Sequence, residues 1–260
     1  MFFSKFAKIS FVKISAVIIA FNEEEKIGRA IESVQWADEV LVVDSESTDR
    51  TREIAEKMGA RVITQKWLGF SGQKQFAVEK AAHEWIFSLD ADEAVSDKLK
   101  DEILALKNAK SPADGYKIPR LSFYMNRPVR HGGWYPDWQI RFFNRKRGRW
   151  KDVLIHESVE IAGRVEKLSG DIFHYSVENA AHHHRMIGER YAPLAAEQMY
   201  QRGKKTGPLR IAAAGPTAFL RTYILKAGFL DGLPGFCIAR FAAHHAFLKH
   251  LMLWEKQSKD

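Results

Sequence analysis

Trp85-Ile-Phe-Ser-Leu-Asp-Ala-Asp-Glu93 decides the fold. Its first five residues are mostly apolar and read as a buried strand. An acidic cluster follows at once. The same pattern occurs twice upstream. Ile14-Ser-Ala-Val-Ile-Ile-Ala20 is a β-branched run, followed by Asn22-Glu-Glu-Glu25 and a helical stretch to about residue 35. The glutamates are expected in the first turn of that helix, where negative charge suits the dipole. Glu39-Val-Leu-Val-Val43 ends in Asp44-Ser-Glu-Ser-Thr-Asp49, and a helix over 51–58 stops at Gly59. Arg61-Val-Ile-Thr64 is a third strand, and a helix over 72–82 leads back to Trp85. Strands alternating with helices imply a parallel sheet with right-handed crossovers. In such α/β sheets ligands gather beyond the carboxyl ends of the strands. Asn22 with Glu23, Asp44, and Asp90 with Asp92 all fall there. A turn or helix cap uses the same residue types, but three clusters at one sheet edge point to a site.

Asp90-Ala91-Asp92 is the most informative triplet. Residues two apart on an extended backbone share a side, so both carboxylates are expected to face one cation. Without it they would repel each other. Carboxylates combined with phosphate oxygens suit a hard divalent ion, Mg²⁺ or Mn²⁺.

The pattern then changes. A helix over 97–109 is followed by 115–159, rich in aromatics, Arg and Gly, read as short strands and long loops. From about residue 177 the chain reads as helical, with breaks expected at Gly203-Lys-Lys-Thr-Gly-Pro208, Gly215-Pro216 and Gly232-Leu-Pro-Gly235. His182-His-His184 diverge around a helix and cannot all reach one ion, so they read as a solvated or anion-facing helix start. Arg141, Arg145, Lys146, Arg147 and Arg149 form a basic run beside Trp150. It reads either as a solvated face or as a grip on a phosphorylated or carboxylated acceptor.

Composition bounds these readings. With 260 residues, 46% hydrophobic and 28% charged, the chain is no disordered segment, collagen fibre or disulfide-stapled miniprotein. Length alone allows one or two domains. Cys237, the single cysteine, has no partner for an intramolecular disulfide, which suggests a reducing compartment. The net charge is +8, and residues 201–260 hold ten basic against three acidic residues. That surplus is mixed with Phe219, Leu220, Tyr223, Ile224 and Ala227 at helical spacing. A basic, apolar tail suggests in-plane association with an anionic membrane surface rather than nucleic-acid binding. Residues 1–12 carry no convincing export signal, and no run of roughly 18 apolar residues is long enough to span a bilayer.

Three motifs in order resemble family 2 glycosyltransferases of the GT-A fold: Val17-Ile-Ile-Ala-Phe-Asn-Glu23, Val42-Val-Asp-Ser-Glu-Ser-Thr-Asp-Arg-Thr51 and Leu89-Asp-Ala-Asp-Glu93. The resemblance spans about residues 13–175. Within that family the chain most resembles the lipopolysaccharide-core β1,4-glucosyltransferase group. The carriers are Trp134-Tyr-Pro-Asp-Trp-Gln-Ile-Arg-Phe-Phe143, Ile155-His-Glu157, His174-Tyr-Ser176 and Tyr223-Ile-Leu-Lys-Ala-Gly-Phe-Leu-Asp-Gly232. It implies a mostly parallel, Rossmann-like sheet flanked by helices, with a helical, basic and apolar C-terminal extension. The implied domains are a catalytic region over 1–176 and a membrane-associating region over 177–260. It also implies roles. Asp44 would bind the uracil or ribose of a nucleotide sugar, Asn22 and Glu23 lie on the nucleotide-side loop, and Lys74 is a basic residue near the nucleotide. Asp90 would sit near the ribose or behind the metal, Asp92 would contact the metal, and His174 would approach the metal or diphosphate. Gly132-Gly133 would form an acceptor loop. Glu157 would be the catalytic base, with Asp137 as the other candidate. Ser45 stands where many members have a second Asp, and His156-Glu157 where many have Glu-Asp.

Such a reaction needs these groups. A divalent cation offsets charge building on a diphosphate leaving group, and a carboxylate takes the proton of the attacking hydroxyl. One base and one displacement invert the anomeric centre. The expectation is a metal-dependent, inverting hexosyltransferase, peripheral on the inner face of a bacterial cytoplasmic membrane. It would use UDP-glucose as donor and a heptose of the lipid-anchored lipopolysaccharide core as acceptor. The alternatives are a polyprenyl-phosphate sugar transferase and a non-enzymatic binder of acidic polymers or membrane surfaces.

Overall fold

The computed structural model describes residues 12–107, 112–151, 157–177 and 179–258. The chain forms two compact units: Met1–Arg120 with Trp138–His174, and Leu121–Asp137 with Tyr175–Asp260.

The first unit opens with β1 (Ile14–Ala20), α1 (Ile27–Ser33), β2 (Glu39–Asp44), α2 (Thr51–Lys57), β3 (Arg61–Thr64), α3 (Gly69–Lys80) and β4 (Trp85–Asp90). In chain order there follow β5 (Glu93–Val95), α4 (Asp97–Leu106), β6 (Gly115–Tyr124), β7 (Arg127–Pro128), β8 (Asp137–Asn144), β9 (Gly148–Trp150), β10 (Val159–Ile161), β11 (Val165–Lys167) and β12 (Ile172–Val177), of which β7, the last residues of β6 and β12 and the first of β8 belong to the second unit. The main sheet runs β3-β2-β1-β4-β8-β6-β12-β5. β3, β2, β1 and β4 are mutually parallel, and β8 turns antiparallel against β4. This is the expected α/β architecture.

β1 explains the apolar run. Ile14, Ala16, Ile18 and Ala20 join one core layer with Ile27, Ala30 and Ile31 of α1. Val17 joins the other, with Ala77 and Val78 of α3. A strand covered on both faces cannot alternate with polar residues.

Differences from the sequence reading are local. α1 begins only at Ile27 and has no acidic residue in its first turn. The glutamates instead lie in the preceding loop, where Glu23 ion-pairs with Lys26 at 3.3 Å. Gly59 ends α2 as expected, with φ +82°.

The second unit holds α5 (Ala180–Arg185), a π-helical turn over Met186–Tyr191, α6 (Ala192–Gln201), α7 (Pro208–Leu220), a second π-turn over Arg221–Leu225, a 3₁₀ turn over Gly228–Asp231 and α8 (Gly232–Gln257). Gly215-Pro216 does not break the helix: α7 runs through it. A β-carbon at Gly215 would lie 3.4 Å from the Ala243 carbonyl of α8, so this glycine serves close helix packing. The triple histidine is also divided. His183 is buried against Phe241, with ring centroids 4.1 Å apart, and against Tyr124. Of its neighbours, His184 is exposed, as expected of a solvated helix start, and His182 is half-buried. Among the described residues no helix is long and apolar enough to cross a membrane.

Candidate active site

The parallel register sets the polar strand ends side by side: Ala20 of β1 pairs with Asp44, and Ile19 with Asp90. Asp44 is fully buried. Its Oδ2 accepts the Ser47 N–H at 2.9 Å and lies 3.8 Å from Arg52 Nε. Its Oδ1 has no hydrogen-bond partner. A buried polar atom left unpaired costs about 1–3 kcal/mol, so this oxygen is an acceptor held ready at the sheet edge. Asn22 adopts φ +53°, a conformation Asn tolerates better than most residues. Its Oδ1 accepts the Thr48 N–H at 2.8 Å, and its own N–H donates to Ser47 Oγ at 2.9 Å. The Glu23 N–H donates to Thr51 Oγ1 at 2.8 Å. The two loops that follow β1 and β2 are therefore laced together. Ser45 Oγ accepts from Gln73 Nε2 at 3.0 Å, so the residue at the expected second-Asp position is tied to α3.

Asp90 is the hub of a charge network. Lys74 Nζ, buried on α3, lies 2.8 Å from Oδ1. Arg141 Nη2, buried on β8, lies 2.8 Å from Oδ2 and 3.1 Å from Glu93 Oε1. Arg120 reaches the same Glu93 oxygen at 3.2 Å, and Glu93 Oε2 accepts the Asp90 N–H at 2.9 Å. Burial opposes charge on Asp90, but Arg141 and then Lys74 outweigh it and hold the carboxyl well below its usual range. Burial likewise opposes charge on Arg141, and Asp90 with Glu93 holds the guanidinium above its ordinary value. Lys74 also lies 3.8 Å from Glu157, which is half-buried. Both cations stand over Trp150, with Lys74 4.9 Å and Arg141 5.8 Å from its ring centroid. Arg141 Nε and Nη1 and Trp150 Nε1 are buried donors without partners. Donors gathered in this way complement a ligand rich in oxygen acceptors.

The two aspartates of the triplet do not share one partner. β4 ends at Asp90, and Ala91 and Asp92 form a turn, so the extended geometry needed for a common face is lost. Asp92 Oδ2 instead lies 3.4 Å from His174 Nε2. Burial opposes its charge, but the hydrogen bond and charge of His174 outweigh burial and lower its pKa; Asp90 opposes and Lys26 assists. Among the described residues no three His, Cys, Asp or Glu side chains gather as a metal site. A hard divalent cation that keeps waters and takes substrate phosphate oxygens needs only one or two carboxylates. Asp92, held in its charged form with His174 Nε2 3.4 Å away, fits that requirement.

Other predicted residues lie as follows. Asp137 begins β8 and belongs to the second unit. His156 lies outside the described residues. Gly132 and Gly133 have φ +67° and +83°, so both need the freedom of glycine. The basic run is not one face. Arg145 donates to the carbonyls of Val78 and Ala81, and Lys146 pairs with Glu84. Only Arg141 joins the network. Its pairing with Asp90, and the part played by Glu93 and Arg120, escaped the sequence reading. The available signal was a charge set between Ile140 and Phe142, since a lone arginine in an apolar strand requires a buried counter-charge.

Comparison with known proteins identifies the family. Residues 15–170 match the model of glycosyl transferase family 2. A glycosyltransferase of Rickettsia typhi is 32% identical over 95% of this chain and 89% of that protein. The lipopolysaccharide core biosynthesis glycosyltransferase LpsC of Rhizobium meliloti is 29% identical over 94% of this chain and 93% of that protein. The crystal structure of S. aureus TarS 1-349 aligns with 96% of this chain and 92% of that one, at 15% identity and a TM-score of 0.47. The chain is a glycosyltransferase and belongs to glycosyl transferase family 2.

Proposed function

We propose that the chain transfers glucose from UDP-glucose to a heptose of a lipid-anchored lipopolysaccharide core, inverting the anomeric centre, on the cytoplasmic face of a membrane. The observation that carries this reading is the pair of strand-end carboxylates that flank β1, Asp44 of β2 and Asp90 of β4, in a family 2 chain, with the buried Asp44 Oδ1 lacking a partner. The likeness to LpsC supports the acceptor class, and the basic, apolar tail supports the membrane.

In this reading Asp44 accepts from the nucleoside, on the loop laced by Asn22 and Glu23. Lys74 and Arg141 hold Asp90 toward the ribose side, while their neighbouring donors meet oxygens of the donor sugar or diphosphate. Asp92 and His174 would hold a divalent cation, Mg²⁺ or Mn²⁺, which would supply positive charge to offset that of a departing diphosphate. Glu157, beside Lys74, takes the proton of the acceptor hydroxyl as it attacks.

The test is UDP release from a panel of nucleotide sugars on purified core acceptor and on polyprenyl phosphate, with either cation. Transfer from UDP-glucose to the core acceptor is expected, and Glu157→Gln should lose transfer while still binding UDP. Sole use of polyprenyl phosphate would overturn the acceptor assignment. Full activity of Glu157→Gln would move the base to Asp137.

A further inference from the structure

We propose that residues 220–236 form a docking tip for an anionic lipid surface, and that Asp231 and Lys226 tie this tip to the His131-Gly132-Gly133 loop so that lipid binding steadies the loop. The inference rests on the reading above that the acceptor is held at a membrane, and it names the segment that meets the lipid.

The tip has a fixed shape. After the π-turn, Ala227 takes φ +54° and Gly232 φ +63° around the 3₁₀ turn. A β-carbon at Gly228 would stand 2.7 Å from the Thr222 carbonyl oxygen, and one at Gly235 would stand 1.8 Å from that of Gly228. Only glycine lets the chain fold back this closely. Phe219 stacks on Tyr223, and Phe236 meets both rings and Phe229 meets Tyr223 edge-on.

The outer surface is apolar and basic. Leu225 is 80% exposed, Leu230 61% and Leu233 60%, with Leu220, Ile224 and Phe229 each about half exposed. Isolated exposed leucines need no explanation, but six exposed large apolar residues within 220–233 do. Arg221 and Lys226 interrupt it, and the one acid of the segment is turned inward. Asp231 is 6% exposed at its side chain. Its Oδ2 accepts the His131 N–H at 2.8 Å, and its Oδ1 accepts the Arg130 N–H at 3.2 Å and lies 2.8 Å from His131 Nδ1. An apolar surface that shows cations and hides its acid matches an anionic bilayer: leucines enter the acyl boundary while arginine and lysine meet headgroups.

Those same hydrogen bonds make the coupling. Asp231 holds the backbone of Arg130 and His131, and the Lys226 carbonyl accepts the Gly132 N–H at 2.9 Å. A β-carbon on Gly133 would lie 2.3 Å from Lys226 Nζ, so the lysine stem lies directly on the loop. Immobilising the tip therefore restrains residues 130–133.

The test uses the full chain with vesicles of phosphatidylglycerol and phosphatidylcholine, and with phosphatidylcholine alone. Co-sedimentation is expected with the anionic vesicles only. Leu225→Glu with Leu230→Glu should cut partitioning at least tenfold at an unchanged melting temperature. Hydrogen exchange at residues 130–133 should slow when anionic vesicles are added, and Asp231→Asn should bind vesicles yet lose that slowing. Equal partitioning of the double variant, equal binding to neutral vesicles, or a dimer broken by the double variant would overturn the docking tip. Unchanged exchange at 130–133 in the vesicle-bound wild type would overturn the coupling. Transfer to a delipidated core acceptor reports on the proposed reaction separately. Its success with no vesicle binding would refute this inference alone.

Discussion

Arg141→Met removes the guanidinium that bridges Asp90 and Glu93 and leaves two buried carboxylates with fewer counter-charges. Breaking a buried ion pair from one side costs about 3–5 kcal/mol. Lys74 at 2.8 Å from Asp90 and Arg120 at 3.2 Å from Glu93 remain, so the lower end applies. Methionine fills most of the arginine stem, so little of the loss comes from packing. A cost of about 3 kcal/mol is a factor of roughly one hundred in the folding equilibrium. Arg141→Lys restores charge but not the planar fork and should fall between, at about 1–2 kcal/mol. Arg149→Gln is the control. Its guanidinium is exposed and 3.9 Å from Glu160, and such surface pairs contribute about 0–1 kcal/mol. Urea unfolding followed by far-UV circular dichroism measures all three. An Arg141→Met midpoint equal to wild type, or an Arg149→Gln loss as large, would refute the buried network.

Three further outcomes are expected. His183 is held down to about 4 by burial, with His182 adding to it, so below its ordinary 6.5 the unfolded chain takes up a proton that the fold refuses. Stability should then fall as pH drops from about 6.5 to about 4, by on the order of 3 kcal/mol, and His183→Phe should flatten that slope in pH-dependent melts. Asp44→Asn should weaken UDP binding at least tenfold, about 1.4 kcal/mol, while leaving the melting temperature near wild type, because the lost oxygen has no protein partner. Gly235→Ala forces a methyl against the Gly228 carbonyl and should cost about 1–3 kcal/mol, read as a lowered melting temperature.

The parallel half of the sheet was legible because burial on both faces leaves a plain signal: β1 begins and ends where its apolar run does, and β4 begins at Trp85 as read. The positions of Asp44 and Asp90 at strand ends followed from that alone. What a one-dimensional pattern could not carry was pairing at a distance. Arg141 is 51 residues from Asp90, and only the antiparallel return of β8 beside β4 brings them together. Asp92 marks where that pattern ends. Two-residue periodicity holds only while the backbone stays extended, and the chain turns immediately after Asp90. Gly215-Pro216 looked like a helix stop because local preference is blind to α8, whose close packing keeps α7 continuous. His183 was hidden among identical neighbours, and the helix phase that buries it depends on Tyr124 and Phe241 from distant segments.

The most direct measurement is calorimetric titration of UDP into the wild type and Asp92→Ala, each with Mn²⁺ and with chelator. The carboxylate-edge account predicts binding at least tenfold tighter with Mn²⁺ in the wild type, and no difference between the two conditions in Asp92→Ala. UDP affinity in the wild type that is indifferent to chelator, and unchanged by loss of Asp92, would contradict it.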